Sequence, residues 1–82
     1  TITVKDYKTR LQEHVQQSHS GELDYKVINV SGPDHKRVFT MQVCLNGKGY
    51  GIGQGSSKQE AGQNAAHATL AMLGLIKPPT EG

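Results

Sequence analysis

Gly53-Gln54-Gly55-Ser56-Ser57-Lys58-Gln59-Glu60-Ala61-Gly62-Gln63-Asn64-Ala65-Ala66 reads as a strand that turns directly into a helix. The strand begins upstream, and Tyr50-Gly51-Ile52-Gly53-Gln54-Gly55 places glycine at every second position. Alternate residues of a strand share a face. A face that gives up its side chains lets another backbone come close. The alanine-rich segment that follows is the natural candidate for that approach. Ser57 and Glu60, three residues apart, make a capping box at its start. Lys58 stands in its first turn. The free N–H groups of a helix start and the lysine charge aim at one point outside the fold, and such a point attracts an anion, most often phosphate.

Working outward, the predicted second helix buries Ala61, Ala65, Ala68 and Met72 on one line, with Ala66, Leu70 and Leu73 beside it. Glu60, Asn64 and His67 fall on its polar face. Gly74 ends it, and Leu75 can make the apolar contact that accompanies a glycine C-cap. Asn46-Gly47 is a strong two-residue hairpin signal. Before it, Phe39, Met41, Val43 and Leu45 alternate with Val38, Thr40, Gln42 and Cys44, a period of two that predicts one buried face. Ser31-Gly32-Pro33-Asp34-His35 is turn chemistry, with glycine allowing positive φ and proline setting the next φ. Tyr25 to Val30 is β-branched enough for a first strand. Ser18 to Leu23 reads as loop, broken at Ser20-Gly21. Asp6 caps a first helix in which Tyr7, Leu11 and Val15 form an apolar stripe. Lys5, Thr9, Gln12, Glu13 and Gln16 lie opposite that stripe.

The order is α-β-β-β-α. Hairpin-linked strands make a three-stranded antiparallel sheet, and both helices pack on one face of it, an α+β fold. Residues 1–5 read as the end of a linker, 6–76 as the folded domain, and 77–82, with Pro78-Pro79, as a flexible tail. The first residue is Thr1 rather than methionine, so the chain is expected to be a piece of a longer protein.

Eighty-two residues allow one small core. Hydrophobic content of 34% and charged content of 20% suit a small soluble domain rather than a disordered tail. Nine basic and seven acidic residues leave a net charge of +2, which identifies no partner, so the placement of charge must carry the argument. Cys44 is the single cysteine, so no internal disulfide forms, and it is compatible with a reducing compartment. The longest apolar run, Leu70 to Ile76, is too short to span a bilayer. No secretory signal is expected.

Several chemistries are set aside. Gly49, Gly51, Gly53 and Gly55 never satisfy a nucleotide-loop spacing, and close packing within a strand accounts for them better. His14 and His19 are five apart and share no helix face, and Cys44 has no second thiol, so zinc is not expected. Ser56 and Ser57 lack a base and its orienting partner. The seven acids are scattered, whereas metal-dependent RNA cleavage needs carboxylates gathered around magnesium.

The chain resembles a double-stranded RNA-binding domain. The resemblance rests on Asp6-Tyr7-Lys8-Thr9-Arg10-Leu11-Gln12-Glu13, on Gly32-Pro33-Asp34-His35 followed by Phe39, on Asn46-Gly47-Lys48, and on Gly53 to Ala66. These pieces cover nearly the whole chain in family order and spacing. The opening octapeptide and Gln63 are further similar to the C-terminal domain of bacterial ribonuclease III.

That family reads duplex shape, because the A-form major groove is too deep and narrow for side chains and recognition falls on 2′-hydroxyls and phosphates. The resemblance implies that Thr9, Gln12, Glu13 and Gln16 enter one minor groove. Spacing alone also fits an ordinary solvated helix face. It implies that Pro33, Asp34 and His35 meet 2′-hydroxyls in the next minor groove, where turn chemistry alone fits a plain tight turn. Lys36 and Arg37 can add phosphate contacts or simply solubilise the strand edge. Ser57, Lys58, Gln59 and Gln63 then face the phosphates across the intervening major groove. Gln59 and Gly62 stand where two more basic residues are common in the family, so weaker binding and a shallower salt dependence are expected than in lysine-rich relatives. The implied partner is double-stranded RNA, bound largely without regard to sequence. The implied parent is a cytoplasmic bacterial ribonuclease III, a homodimer whose nuclease domain, with its magnesium, is not in this chain. No cofactor is expected for the domain itself. The alternative is a protein-interaction or dimerisation module on the same fold.

Overall fold

A computed structural model describes residues 6–19 and 21–76. The linker end expected at 1–5, the tail expected at 77–82, and Lys5 and Ser20 lie outside the described residues. The elements run α1 (Tyr7–Ser18), β1 (Leu23–Ser31), a single 3-10 turn (Asp34–Lys36), β2 (Val38–Leu45), β3 (Lys48–Gly55) and α2 (Lys58–Met72). The three strands form one antiparallel sheet in the order β1-β2-β3. Both helices lie on one face of it, with α2 over β3 and β2 and α1 against α2. The expected fold class is the one observed.

The approach of α2 to β3 follows from the missing side chains. A Cβ on Gly55 would sit 2.6 Å from the backbone N of Ala61, and one on Gly53 would run into the backbone N of Ala65. Real Cβ atoms do not come so near to backbone, so the helix axis could not lie where it does over any other residue at these positions. On the helix side the buried residues are Ala61, Gly62, Ala65, Ala66, Thr69 and Leu70. They run in two lines of spacing four, which corrects the expected Ala61-Ala65-Ala68-Met72 line. Ala68 is half-buried and Met72 is 63% exposed.

Thr69 takes the place expected for an apolar residue because β3 needs a hydroxyl there. The β2–β3 register shifts between Gln42 and Cys44, and Gly51 drops out of the ladder. Its N–H donates instead to Thr69 Oγ1 at 3.0 Å, and that hydroxyl donates to the Ala65 carbonyl at 2.9 Å. A buried donor would otherwise go unpaired, at a cost of about 1–3 kcal/mol. The same shift turns Gly49 to the opposite face, where it pairs with Cys44 and lies against the Gln42 side chain. Gly49 is therefore not part of the helix-facing row.

The strands differ from expectation in three respects, the first being that β3 begins at Lys48 rather than Tyr50, directly after the hairpin turn. β1 is longer at both ends than Tyr25 to Val30 and carries a bulge at Ile28. β2, the central strand, buries Thr40 and Cys44 as well as Met41, Val43 and Leu45, while Gln42 beside them stays half-buried. The hairpin at Asn46-Gly47 has φ of 54° and 81°, the two positive values that a type I′ turn requires. α2 ends as expected. Leu75 N–H bonds Leu70 O and Gly74 N–H bonds Ala71 O, the paired bonds of a Schellman motif, with Leu70 and Leu75 lining a common groove. The core comprises Leu11, Val15, Val43, Leu45, Ala65, Ala66 and Leu70, with Tyr7, Leu23, Tyr25, Tyr50, Leu73 and Ile76 packed around it.

Two glycine substitutions separate helix approach from strand propensity. Gly53→Ala should lose about 1–3 kcal/mol or more in urea unfolding, because it pushes backbone from backbone. Gly49→Ala meets only the movable end of Gln42 and should lose under about 1 kcal/mol. Equal losses would show that the α2–β3 contact is not the tight one.

Candidate nucleic-acid interface

The two helix starts are built from similar residues but leave their donors in opposite states. The first N–H groups of a helix have no intrahelical acceptor. At α1, Asp6 caps: its carboxylate accepts from Thr9 N at 3.2 Å and from the Thr9 hydroxyl at 2.7 Å. The next two donors, Tyr7 N and Lys8 N, both go to Gln63 Oε1 of α2, at 2.7 and 3.2 Å. The Gln63 amide nitrogen completes the set by donating to Asp6 Oδ1 at 3.1 Å. Gln63, grouped with the phosphate-facing residues by the sequence, thus spends both ends of its amide clasping the start of the other helix. Nothing local in the sequence signals this, since the partners lie 56 and 57 residues apart.

At α2 the donors stay open. Ser57 Oγ accepts from Glu60 N at 3.1 Å. The Glu60 carboxylate does not close the expected box onto Ser57. It reaches one residue further back and accepts from Ser56 N at 2.9 Å and from the Ser56 hydroxyl at 2.7 Å. Among the described residues, neither Lys58 N–H nor Gln59 N–H has a protein acceptor, and both side chains are exposed. An aligned helix start of this kind carries about half a positive charge. Of the two helix starts, α2 is the one free to bind an anion.

The β1–β2 turn lies beside that start. Asp34, His35, Lys36, Arg37 and Phe39 line an open groove of about 500 Å³ together with Ser56. Instead of a plain tight turn, Gly32 (φ 87°) and Pro33 (φ −73°) lead into the 3-10 turn, where Lys36 N–H bonds the Pro33 carbonyl at 2.9 Å. A Cβ on Gly32 would strike the Lys36 carbonyl, so the turn demands glycine there. Asp34 and Arg37 pair with each other, which leaves His35 and Lys36 as the exposed unpaired polar side chains of the turn. Thr9, Gln12, Glu13 and Gln16 are all exposed on α1. His67, expected on the polar face, is half-buried and meets the Tyr7 ring edge-on at 4.5 Å between centroids.

The structure therefore joins the three predicted regions through α2. Gln63 holds the α1 start, Ser56 and Lys58 stand at the α2 start, and the Ser56 groove opens onto the β1–β2 turn. The sequence named Phe39 as an alternating strand residue and part of the family resemblance, and Ser56 only as a nucleophile set aside; neither was assigned to the contact surface, and no local pattern marks Ser56 for it.

Three groups are electrostatically perturbed. The Thr9 hydroxyl, the Gln63 amide and the Thr9 N–H hold the Asp6 carboxyl below the usual carboxylate range, and the Lys8 charge adds to this. The Ser56 hydroxyl and N–H do the same for Glu60. Burial, helped by the Asp6 charge, pushes the Tyr25 phenol up to about 12, and its buried hydroxyl has no hydrogen-bond partner. No three His, Cys, Asp or Glu side chains among the described residues gather into a metal site, and no helix there is long and apolar enough to cross a membrane.

Comparison with known proteins places this geometry. A family model described as the double-stranded RNA binding motif matches residues 7–73. Ribonuclease 3 of Caldanaerobacter subterraneus subsp. tengcongensis is 46% identical over 76 residues, covering 93% of this chain and 33% of that protein. Ribonuclease 3 of Anoxybacillus flavithermus is 50% identical over 70 residues, covering 85% of this chain and 29% of that protein. The chain thus spans about a third of the length of these relatives. Among solved structures, Arabidopsis HYL1 superposes with a TM-score of 0.71 at 33% identity, over 83% of this chain and 96% of that one. The second such domain of DRB4 superposes with a TM-score of 0.55 at 32% identity, over 88% and 97% of the two chains.

The Asp6 clasp carries a pH signature. A carboxyl whose folded pKa is lowered stabilises the fold above its unfolded pKa, about 4, and that contribution is lost as pH falls through the folded value. Asp6→Asn keeps a capping oxygen without the titration. Urea midpoints should therefore fall more steeply from pH 5 to pH 2 in the wild type than in Asp6→Asn. Parallel profiles would show that the carboxylate is not coupled to folding.

Proposed function

The chain belongs to the double-stranded RNA binding motif family, and from that premise we propose that it is the duplex-holding domain of a bacterial ribonuclease III. Double-stranded RNA binding is the property of its family. The observation that supports the placement of the contact is the open start of α2, where Lys58 and two unpaired N–H groups stand beside the groove of the β1–β2 turn.

In this reading Lys58, Ser57 and Gln59 take phosphates across the major groove. The Ser57 hydroxyl accepts from Glu60 and keeps its own proton to donate. Thr9, Gln12, Glu13 and Gln16 of α1 offer hydroxyl, amide and carboxylate groups to 2′-hydroxyls and base edges in one minor groove. The Pro33 carbonyl, Asp34 and His35 serve the next one. A domain of this class covers about 16 base pairs. Gln63 acts behind the surface, fixing the angle at which α1 is presented. The rest of the parent is proposed to be a homodimeric nuclease in the cytoplasm. In this reading magnesium serves the nuclease portion rather than this domain. Tethering the duplex beside the nuclease raises its local concentration there.

Gel shifts at fixed salt with RNA duplex, DNA duplex and single-stranded RNA test the reading. Binding to the RNA duplex alone supports it, and binding to none favours the protein-interaction alternative. Lys58→Ala should weaken binding to every duplex sequence alike and flatten the log K against log salt slope by about 0.9. An unchanged slope would remove Lys58 from the phosphate contact.

A further inference from the structure

Gly62 is buried although it lies one helical turn from the exposed Lys58, on the same side of α2 by its i, i+4 spacing. What covers it comes from the other helix. A Cβ at Gly62 would lie 3.4 Å from Lys8 Nζ, 3.5 Å from its Cε and 3.7 Å from its Cδ. The Lys8 side chain thus crosses from α1 into the notch that Gly62 leaves, and its ammonium ends on the strip of α2 that Lys58 begins. On its far side the ammonium stands over the Tyr25 ring, 5.1 Å from the centroid.

The surroundings leave that charge without a direct ion pair. Among the described residues the single ion pair is Asp34–Arg37, so no carboxylate closes on Lys8. The Asp6 carboxylate feels the Lys8 charge but directs its hydrogen bonds to Thr9 and Gln63. Tyr25 contributes a neutral ring face, which attracts a cation by only about 0.5–1 kcal/mol where water still has access. Lys8 also sits in the first turn of α1, where the macrodipole disfavours a cation by a few tenths of a kcal/mol. A lysine that only needed to fill the notch could do so with its aliphatic stem.

We propose that Lys8 is a second phosphate ligand of the α2 strip, delivered from α1 through the Gly62 notch to stand one turn beyond Lys58. The assignment rests on the duplex-RNA reading above. It makes the phosphate surface a joint product of both helices. The clasp of Gln63 on Tyr7 N and Lys8 N fixes the backbone from which Lys8 reaches across. The charge that Gly62 does not supply along α2 is supplied in space by another residue.

Lys8→Met in the 82-residue chain tests this, because methionine keeps an unbranched stem for the notch and removes the charge. Titration with a 16-base-pair RNA duplex over a salt series should show a slope flattened by about 0.9, additive with the change from Lys58→Ala. Circular dichroism should be unchanged. Gly62→Lys added to Lys8→Met should restore the slope. Failure to restore it would place the lost contact elsewhere than the notch and overturn the assignment. A Lys8→Met chain with the wild-type slope would make Lys8 a spacer and also overturn it. If Lys58→Ala leaves the slope unchanged as well, the duplex reading of this face fails, a different result. Should Lys8→Met not fold, amine acetylation of the wild-type chain decides: Lys8 is slowed by saturating duplex if the proposal holds and reacts equally with and without duplex if it does not.

Discussion

The contact between β3 and α2 is the constraint from which the other features follow. Gly51, Gly53 and Gly55 give up side chains so that the backbone of α2 can lie directly on the strand. Small residues on the helix complete the approach, and Thr69 accepts the one strand donor that the bulge sets loose. Apolar area matters less here than depth, since alanines bury little surface each. What the close contact provides is position. With α2 seated this low, its start emerges at the end of β3, next to the turn that connects the other two strands.

Position then determines which polar groups are spent and which remain. The α1 start is consumed internally, with its donors divided between Asp6 and Gln63. The α2 start is capped only by Ser57, and Glu60 turns back to Ser56 rather than covering the next donors. Two helix starts with similar capping residues therefore have different uses. One is a joint of the scaffold, and the other faces outward. A lysine in either first turn is unfavourable to the isolated helix, and the fold brings both lysines toward one strip.

Much of the fold was legible because its signals are local. The capping residues Asp6 and Ser57, the Asn46-Gly47 hairpin, the Gly74 stop and the alternating glycines each act within a few residues. Asp6 and Ser57 cap, the hairpin turns and the helix stops where these signals stand, and Gly51, Gly53 and Gly55 face the helix. The errors have a common origin in contacts between elements. Met72 was placed in the core because helical spacing permits two neighbouring lines, and only the position of β3 selects the one through Thr69. Thr40 fell on the face that the alternation left open, because alternation does not reveal that β2 is central. Gly49 was grouped with the glycine row until the bulge reversed its face. Gln63 was read by its own helix, whereas it acts on the opposite one, and Lys8, which drew no reading of its own, lies against Gly62 of α2.

The sequence by itself determined the order of elements, the caps of both helices and the hairpin at Asn46-Gly47. These depend on φ preferences, capping and periodicity, which operate over distances of a turn or less. Only the tertiary structure decided which helix start keeps its donors free and where the charges converge. Those outcomes depend on side chains that are neighbours in space and more than fifty residues apart along the chain. A hydrogen-bond donor is available to RNA only if no such neighbour has already taken it.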